Sequence, residues 1–264
     1  GNWQTQDWGG NLAGDPTGYF SNNNGGQTDV FGRTSTGTLM HWFWNPSLGG
    51  GNWQTQDWGG NLTGTPTAFY SSANSGQTDV FGRTSAGTLM HWFWNPSLGG
   101  GNWQTQDWGG NLAGDPTGFA SNTNGGQTDV FGRTSAGTLM HWFWYPGLGG
   151  GNWQTQDWGG SLTGTPTAFF SSVNGGQTDV FGRTSAGTLM HWFWNPSLGG
   201  GNWQTQDWGG NLAGNPTGYF SNNNGGQTDI FGRTSAGTLM HWFWNPSLGG
   251  GNWQTQDWGG NLTS

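Results

Sequence analysis

The sequence predicts an all-β fold: a five-bladed β-propeller of four-stranded antiparallel blades, closed by exchange of an outer strand between the N- and C-terminus. Three observations predict it. A 50-residue repeat recurs five times across the 264 residues without insertion or deletion, and a period of roughly 40 to 50 residues is that of a propeller blade. Turn residues cut each repeat into four short segments of strand-like composition. The segment GNWQTQDWGGNL, which opens the chain at Gly1, returns at Gly51, Gly101, Gly151, Gly201 and Gly251, one copy more than anything else in the repeat. Residues 1–264 are therefore expected to form a single domain of five repeats (1–50, 51–100, 101–150, 151–200 and 201–250) plus a sixth copy of the outer strand (251–264).

The elements of the first repeat follow in order. Pro16–Ser21 is the first strand, after Gly14 and Asp15, and Gln27–Arg33 the second, after the turn NNNGG. Thr38–Trp44 is the third, following TSTG, and Asn52–Trp58 the fourth, following NPSLGGG. No interval between Gly and Pro clusters holds a periodic helical run. A four-residue turn at Thr34–Gly37 sets Arg33 opposite Thr38, Phe31 opposite Met40 and Asp29 opposite Trp42 on one face, leaving Val30, Leu39, His41 and Phe43 on the other. Both faces are then largely apolar. Each sheet must be covered on both sides, which stacked blades achieve and an open solenoid with unlike caps does not.

Six outer strands have only five places in a closed ring. Either residues 1–9 or residues 251–259 complete the last blade, and the other copy is surplus, an exposed edge available to a second chain. A homo-oligomer through that strand is the expected consequence.

Composition limits the partners. Gly supplies 56 residues and apolar residues only 30%, yet 22 Trp and 16 Phe provide the material of an aromatic core. Lys and Glu are absent, the formal net charge is -8, and one Arg per repeat makes no basic patch for a phosphate backbone or an anionic membrane. Nucleic acid is not an expected partner. No apolar run approaches the roughly 20 residues of a spanning helix, and no leader pattern opens the chain, so membrane insertion is not expected and a soluble protein is. Cysteine is missing, so no disulfide or thiolate metal site exists and no compartment follows. One His per repeat argues against a metal cluster, and nothing implies a cofactor. The repeat at Gly1 differs from that at Gly201 only at positions 15, 30 and 36, which points to recent duplication or construction.

The run DVFGRTSAGTLMHWFWNPSLGGGNWQTQDWGGNLTGTPT resembles the repeat of PLL-like bacterial β-propeller lectins. The matching residues are Asp29, Val30, Phe31, Arg33, Leu39, His41, Trp42, Trp53, Gly59, Gly60 and Pro66, recurring through the chain. The chain departs in having five repeats where seven are usual there, and in lacking Lys and Glu. The resemblance implies a sugar-binding propeller of the fucose-binding type, acting on glycans at cell surfaces.

The residues themselves agree in kind, because sugars are held by aromatic faces and planar polar groups. One rim of each blade gathers Asp7, Trp8, Asn11, Arg33 and Thr34; the other gathers Asn22–Asn24, Gln27, Trp44 and Asn45. The repeats differ most at the second rim, so equivalent sugar sites are expected at the first, between adjacent blades. They comprise Asp7, Trp8, Asn11 and Arg33; Asp57, Trp58, Asn61 and Arg83; Asp107, Trp108, Asn111 and Arg133; Asp157, Trp158 and Arg183, with Ser161 replacing the asparagine; and Asp207, Trp208, Asn211 and Arg233. Structural roles compete at each. His41 reads first as a buried, hydrogen-bonded core residue, Asp29, next to the apolar Val30–Phe31 pair, as a structural acceptor, and Trp42 and Phe43 as packing. Arg33 is a rim ligand or a tether, and Trp8 a sugar platform or packing. An enzyme using Asp7 and Asp29 as acid and base is disfavoured, because fivefold repetition offers no singular pocket. A scaffold without a ligand is the other alternative.

Overall fold

The computed structural model describes residues 5–48, 52–71, 76–98, 103–148, 153–172, 175–198, 203–248 and 253–263. It contains five four-stranded antiparallel sheets, and among the described residues the only helical segments are single 3₁₀ turns. In the first sheet, β1 (Thr17–Ser21), β2 (Gln27–Arg33), β3 (Leu39–Trp44) and β4 (Gln54–Asp57) pair in sequence order. The chain divides into a compact unit of two sheets, Gly1–Pro116, and one of three, Thr117–Ser264. Within each, successive sheets pack face against face as propeller blades do.

The β2–β3 hairpin departs from the expected register by one residue. Thr34 and Thr38 close the hairpin, Thr34 N–H donating to the Thr38 carbonyl at 2.9 Å and Gly37 N–H to the Thr34 carbonyl at 3.0 Å. The loop is thus the three residues Ser35–Gly37, with Gly37 at φ +86° in the left-handed position such loops require. Arg33 pairs with Leu39, Phe31 with His41 and Asp29 with Phe43. A one-residue slip exchanges faces along a strand, so Asp29, Phe31, Leu39, His41 and Phe43 share one face, and Val30, Met40 and Trp42 the other.

The core follows from these faces. Phe31 and Leu39 of the first sheet pack against Leu62, Val80 and Trp92 of the second. The set recurs as Phe131 and Leu139 with Leu162, Val180 and Trp192, and as Phe181 and Leu189 with Leu212, Ile230 and Trp242. Each fully buried side chain of this size contributes roughly 1.5–3 kcal/mol relative to exposure, as an upper bound.

The sixth copy of GNWQTQDWGGNL acquires a physical reason here, because the segment serves two sheets. Its first half, Gln54–Asp57, is the outer strand of one sheet, pairing Gln56 with His41. Its second half leads into the next: Leu62 bridges Thr84, its N–H bonds the Gly37 carbonyl at 2.7 Å, and Gly60 lies under Trp92. Five sheets need five outer strands and five lead-ins. The last copy gives the fifth sheet its fourth strand, Gln254–Asp257. The first copy supplies a lead-in, with Leu12 bridging Thr34 and Trp8 stacked on Trp53 at 3.6 Å. Its described residues, from Thr5 onward, form no strand; Gly1–Gln4, on which the expected spare outer strand partly falls, lie outside the described residues.

Gly60 tests this stitching. It has φ +104°, and a Cβ there would stand 2.7 Å from Trp92 Cζ2. Gly60→Ala combines left-handed strain with overpacking of a buried ring, for an expected loss of about 2–4 kcal/mol. Urea unfolding should show a lower midpoint; an unchanged midpoint contradicts the assignment.

Candidate functional site

A cavity opens between adjacent sheets inside each compact unit. Between the first and second sheets it encloses about 140 Å³, lined by Asn24, Gln27, His41, Phe43 and Gln56 from one sheet and Thr78, Trp94 and Trp103 from the next. Between the third and fourth sheets about 170 Å³ is lined by the matching Gln127, His141, Gln156, Trp194 and Trp203. Between the fourth and fifth, about 170 Å³ is lined by Gln177, His191, Gln206, Trp244 and Trp253. Each has room for several water molecules or one ring-sized ligand.

Two indole rings form one wall. Trp94 and Trp103 have centroids 6.4 Å apart at 41° between planes, Trp194 and Trp203 6.5 Å at 43°, and Trp244 and Trp253 6.2 Å at 42°. The wedge is thus a repeated feature of the fold. Trp94 comes from the end of a third strand; Trp103 directly precedes a fourth.

The opposite wall is polar, and the corrected register builds it. His41 lies across from Phe31 on β2 and Gln56 on β4, its ring stacked between Phe31 at 4.5 Å and Phe43 at 4.8 Å. Its Nε2 is 2.8 Å from Asp29 Oδ1, which also accepts the Gln27 side-chain amide at 2.7 Å. A carboxylate oxygen accepting both bonds places the imidazole proton on Nε2, so the neutral ring offers the Nδ1 lone pair. Nδ1 of His41, His141 and His191 is buried and makes no hydrogen bond of good geometry, with Gln56 and Gln156 close enough to His41 and His141 to favour their protonated forms slightly. Gln56 Oε1 accepts the indole N–H groups of Trp58 at 3.1 Å and Trp103 at 3.2 Å, so its NH₂ remains as a donor. Gln27 Oε1 is held by Asn24 at 2.9 Å and Asn45 at 3.0 Å. The cavity therefore presents an acceptor, a donor and two aromatic faces, with no carboxylate among its lining residues.

The residues singled out in the sequence lie elsewhere. Asp7, Asp57, Asp107, Asp157 and Asp207 each accept the N–H of the glycine two positions on at 2.8 Å. Asn11, Asn61 and Asn211 donate to Ser35, Ser85 and Ser235. Arg33 and Arg233 donate to the carbonyls of Ala13 and Ala213, and Arg83 stands 3.8 Å from Asp115. Trp58, Trp158 and Trp208 pack on the Phe–His pairs of their sheets. None of the expected ligands lines the three cavities, which open at the rim of Asn24 and Gln27 and not at that of Asp7 and Arg33. His41 and Asp29 do fill the buried, hydrogen-bonded roles expected of them. Gln56 and Trp103 went unseen; the alternation of the outer strand carries them once the hairpin register is known.

Burial holds His41, His91, His141 and His191 below the usual imidazole value of 6.5, against the opposing pull of the paired Asp carboxylates. With the folded value depressed, the unfolded chain binds more protons below pH 6.5. The stability these groups contribute is present above that pH and is lost as pH falls towards the folded values, by at most about 1.4 kcal/mol per pH unit for each. Urea unfolding at pH 7.5 and 5.5 should show the lower midpoint at 5.5, and equal midpoints would overturn the assignment of neutral buried imidazoles.

A family model described as a repeat of unknown function (DUF346) matches residues 27–68, 77–118, 127–168, 177–218 and 227–264. No curated protein matches the chain. Among solved structures, the BP39L lectin of Burkholderia pseudomallei is 20% identical with a TM-score of 0.71, covering 94% of this chain and 69% of that one. AofleA of Arthrobotrys oligospora is 12% identical with a TM-score of 0.62, covering 94% and 71%. The lectin of Aleuria aurantia, a six-bladed β-propeller that recognises fucose, is 15% identical with a TM-score of 0.59, covering 91% and 77%. These likenesses establish the β-propeller fold. Each of the five matches takes in the second, third and fourth strands of one sheet, and the first four continue into the next sheet, so the structural repeat and the family repeat coincide, and the chain belongs to the DUF346 repeat family.

Proposed function

We propose that the chain is a multivalent carbohydrate-binding protein, with one monosaccharide-sized site in each cavity between adjacent sheets and L-fucose or a related sugar as ligand. The observation that carries this reading is the repeated pairing of an indole wedge with a buried imidazole acceptor and a glutamine donor. A sugar ring has an apolar C–H face and a rim of hydroxyls. The indoles take the face, while His41 Nδ1 and the Gln56 NH₂ take hydroxyls.

Several features support binding without turnover. The Asp29 carboxylate is buried under His41 and engaged on Oδ1 by two donors, so it is not presented to a ligand. The walls carry no second carboxylate to act as acid or base. The lectins of similar fold include proteins solved with α-methyl fucosides. Fucose is the ligand those proteins suggest, and a net charge of -8 argues for neutral glycans over anionic ones. Sites of this size are weak singly, of the order of millimolar or about -4 kcal/mol, and several on one molecule raise avidity by roughly 10² to 10⁴ on a dense glycan surface.

Calorimetry with methyl α-L-fucoside and a panel of other methyl glycosides tests the proposal. Several equivalent sites per chain are expected, and Trp94→Ala should remove one of them while leaving the melting temperature close to that of the parent. A single site per chain, or no sugar bound at all, overturns the reading.

A further inference from the structure

One cavity differs from the others in a way that the near identity of the repeats makes conspicuous. Position 45 is asparagine in four repeats and Tyr145 in the third. Asn45, Asn95, Asn195 and Asn245 are buried and donate to the glutamine that opens the second strand of their own sheet, at 3.0, 3.0, 2.9 and 3.2 Å. Asn45 and Asn195 are not part of the cavity walls, whereas Tyr145 is. Its ring adds a further aromatic surface to those of Phe143, Trp194 and Trp203. It does not fill the space, since that cavity encloses about 170 Å³ against about 140 and 170 Å³ in its counterparts.

A second substitution makes room for the ring. Position 47 is serine in the other repeats and Gly147 here, and a Cβ at 147 would stand 3.1 Å from Tyr145 Cε2 and 3.3 Å from Cδ2. Tyrosine and glycine therefore belong together. The exchange also changes the polar wall: Gln127 Oε1 keeps the Asn124 donor at 2.8 Å, and its Nε2 still donates to Asp129 at 2.6 Å, but it has no asparagine at 145 to supply the second donor its counterparts have. An acceptor position on Gln127 is thus open to a ligand beside the added aromatic face.

Resting on the sugar-binding reading above, we propose that the cavity between the third and fourth sheets is a second class of site, selective for glycosides carrying an apolar ring on the anomeric oxygen. The sugar occupies the indole wedge as in the other cavities, and the aglycone ring lies against Tyr145. An aromatic contact of this kind strengthens binding by roughly two- to tenfold.

The test compares methyl and p-nitrophenyl α-L-fucoside, or the same pair for whichever sugar the panel selects, by calorimetry on the full chain and on the double variant Tyr145→Asn, Gly147→Ser. That variant restores the sequence of the other four repeats at these positions, and circular dichroism checks its fold. The parent should bind the aryl glycoside in two classes, one site per chain about fivefold tighter than the rest, and bind the methyl glycoside in one class. The double variant should keep the same total number of sites and lose the tight class. If the methyl glycoside binds while the aryl preference is uniform, or survives in the variant, this inference is wrong and the sugar-binding reading stands. If no methyl glycoside binds, both fall.

Discussion

The closure of the central hairpin by Thr34 and Thr38 is the constraint on which the rest of the structure depends. A three-residue loop ending in left-handed Gly37 fixes which residues of β2 and β3 face each other. That register sets Phe31, Leu39, His41 and Asp29 on one face of the sheet and Val30 and Trp42 on the other. The first face receives the leucine, valine and tryptophan of the following sheet, and it also carries the imidazole into the cavity. Shifting the pairing by one residue would turn Asp29 away from His41 and leave two buried polar groups unpaired, each costing roughly 1–3 kcal/mol. The polar pair and the aromatic stack therefore enforce the same register that the turn selects.

The double use of GNWQTQDWGGNL follows from the same economy of contacts. The outer strand of one sheet runs directly into the lead-in of the next, so Trp58 covers Phe31 and His41 while Leu62, four residues on, reaches the following hairpin at Thr84. Trp103 of the next copy then packs beside Trp58 and forms part of the cavity wall. Consecutive sheets are joined by a segment that belongs to both.

The sheet count, the strand positions and the antiparallel order were legible because Gly and Pro punctuate each repeat and the period is unbroken. The expected bounds of Gln27–Arg33 match the structure to the residue, and those of the other strands to within two residues at either end. The hairpin register was not legible: TSTG reads equally as a four-residue loop or as the flank and three residues of a shorter one, and only the backbone bonds of Thr34 decide. The site inherited that ambiguity. A four-residue loop puts His41 on the face opposite Asp29, where the two form no common wall, and leaves the polar and aromatic rim carrying Asp7, Asn11 and Arg33 as the expected site. Those side chains hold turns and lead-ins in place, which polar residues beside glycines do as readily as they bind ligands. Variation at the Asn22–Asn24 loop also pointed away from the rim at which the cavities open, although the cavity walls themselves come largely from the invariant strands.

Because each cavity takes its polar wall from one sheet and its indoles from the next, the site exists only where two sheets are packed together. Whatever loosens that packing opens the site, and a ligand that bridges the two walls stabilises the packing by mass action. Site number is tied in this way to sheet interfaces and not to any single repeat. Duplication of a 50-residue repeat then adds a packed interface and a cavity in one step, since the new sheet brings its own hairpin, its own imidazole and the indoles that complete its neighbour's cavity. Among the repeats, Tyr145 and Gly147 diverge together, while His41, Gln56, Trp94 and Trp103 are the same in every counterpart. The first pair alters one edge of one cavity, whereas a change in any of the others would strip a wall from a site and a contact from the core together.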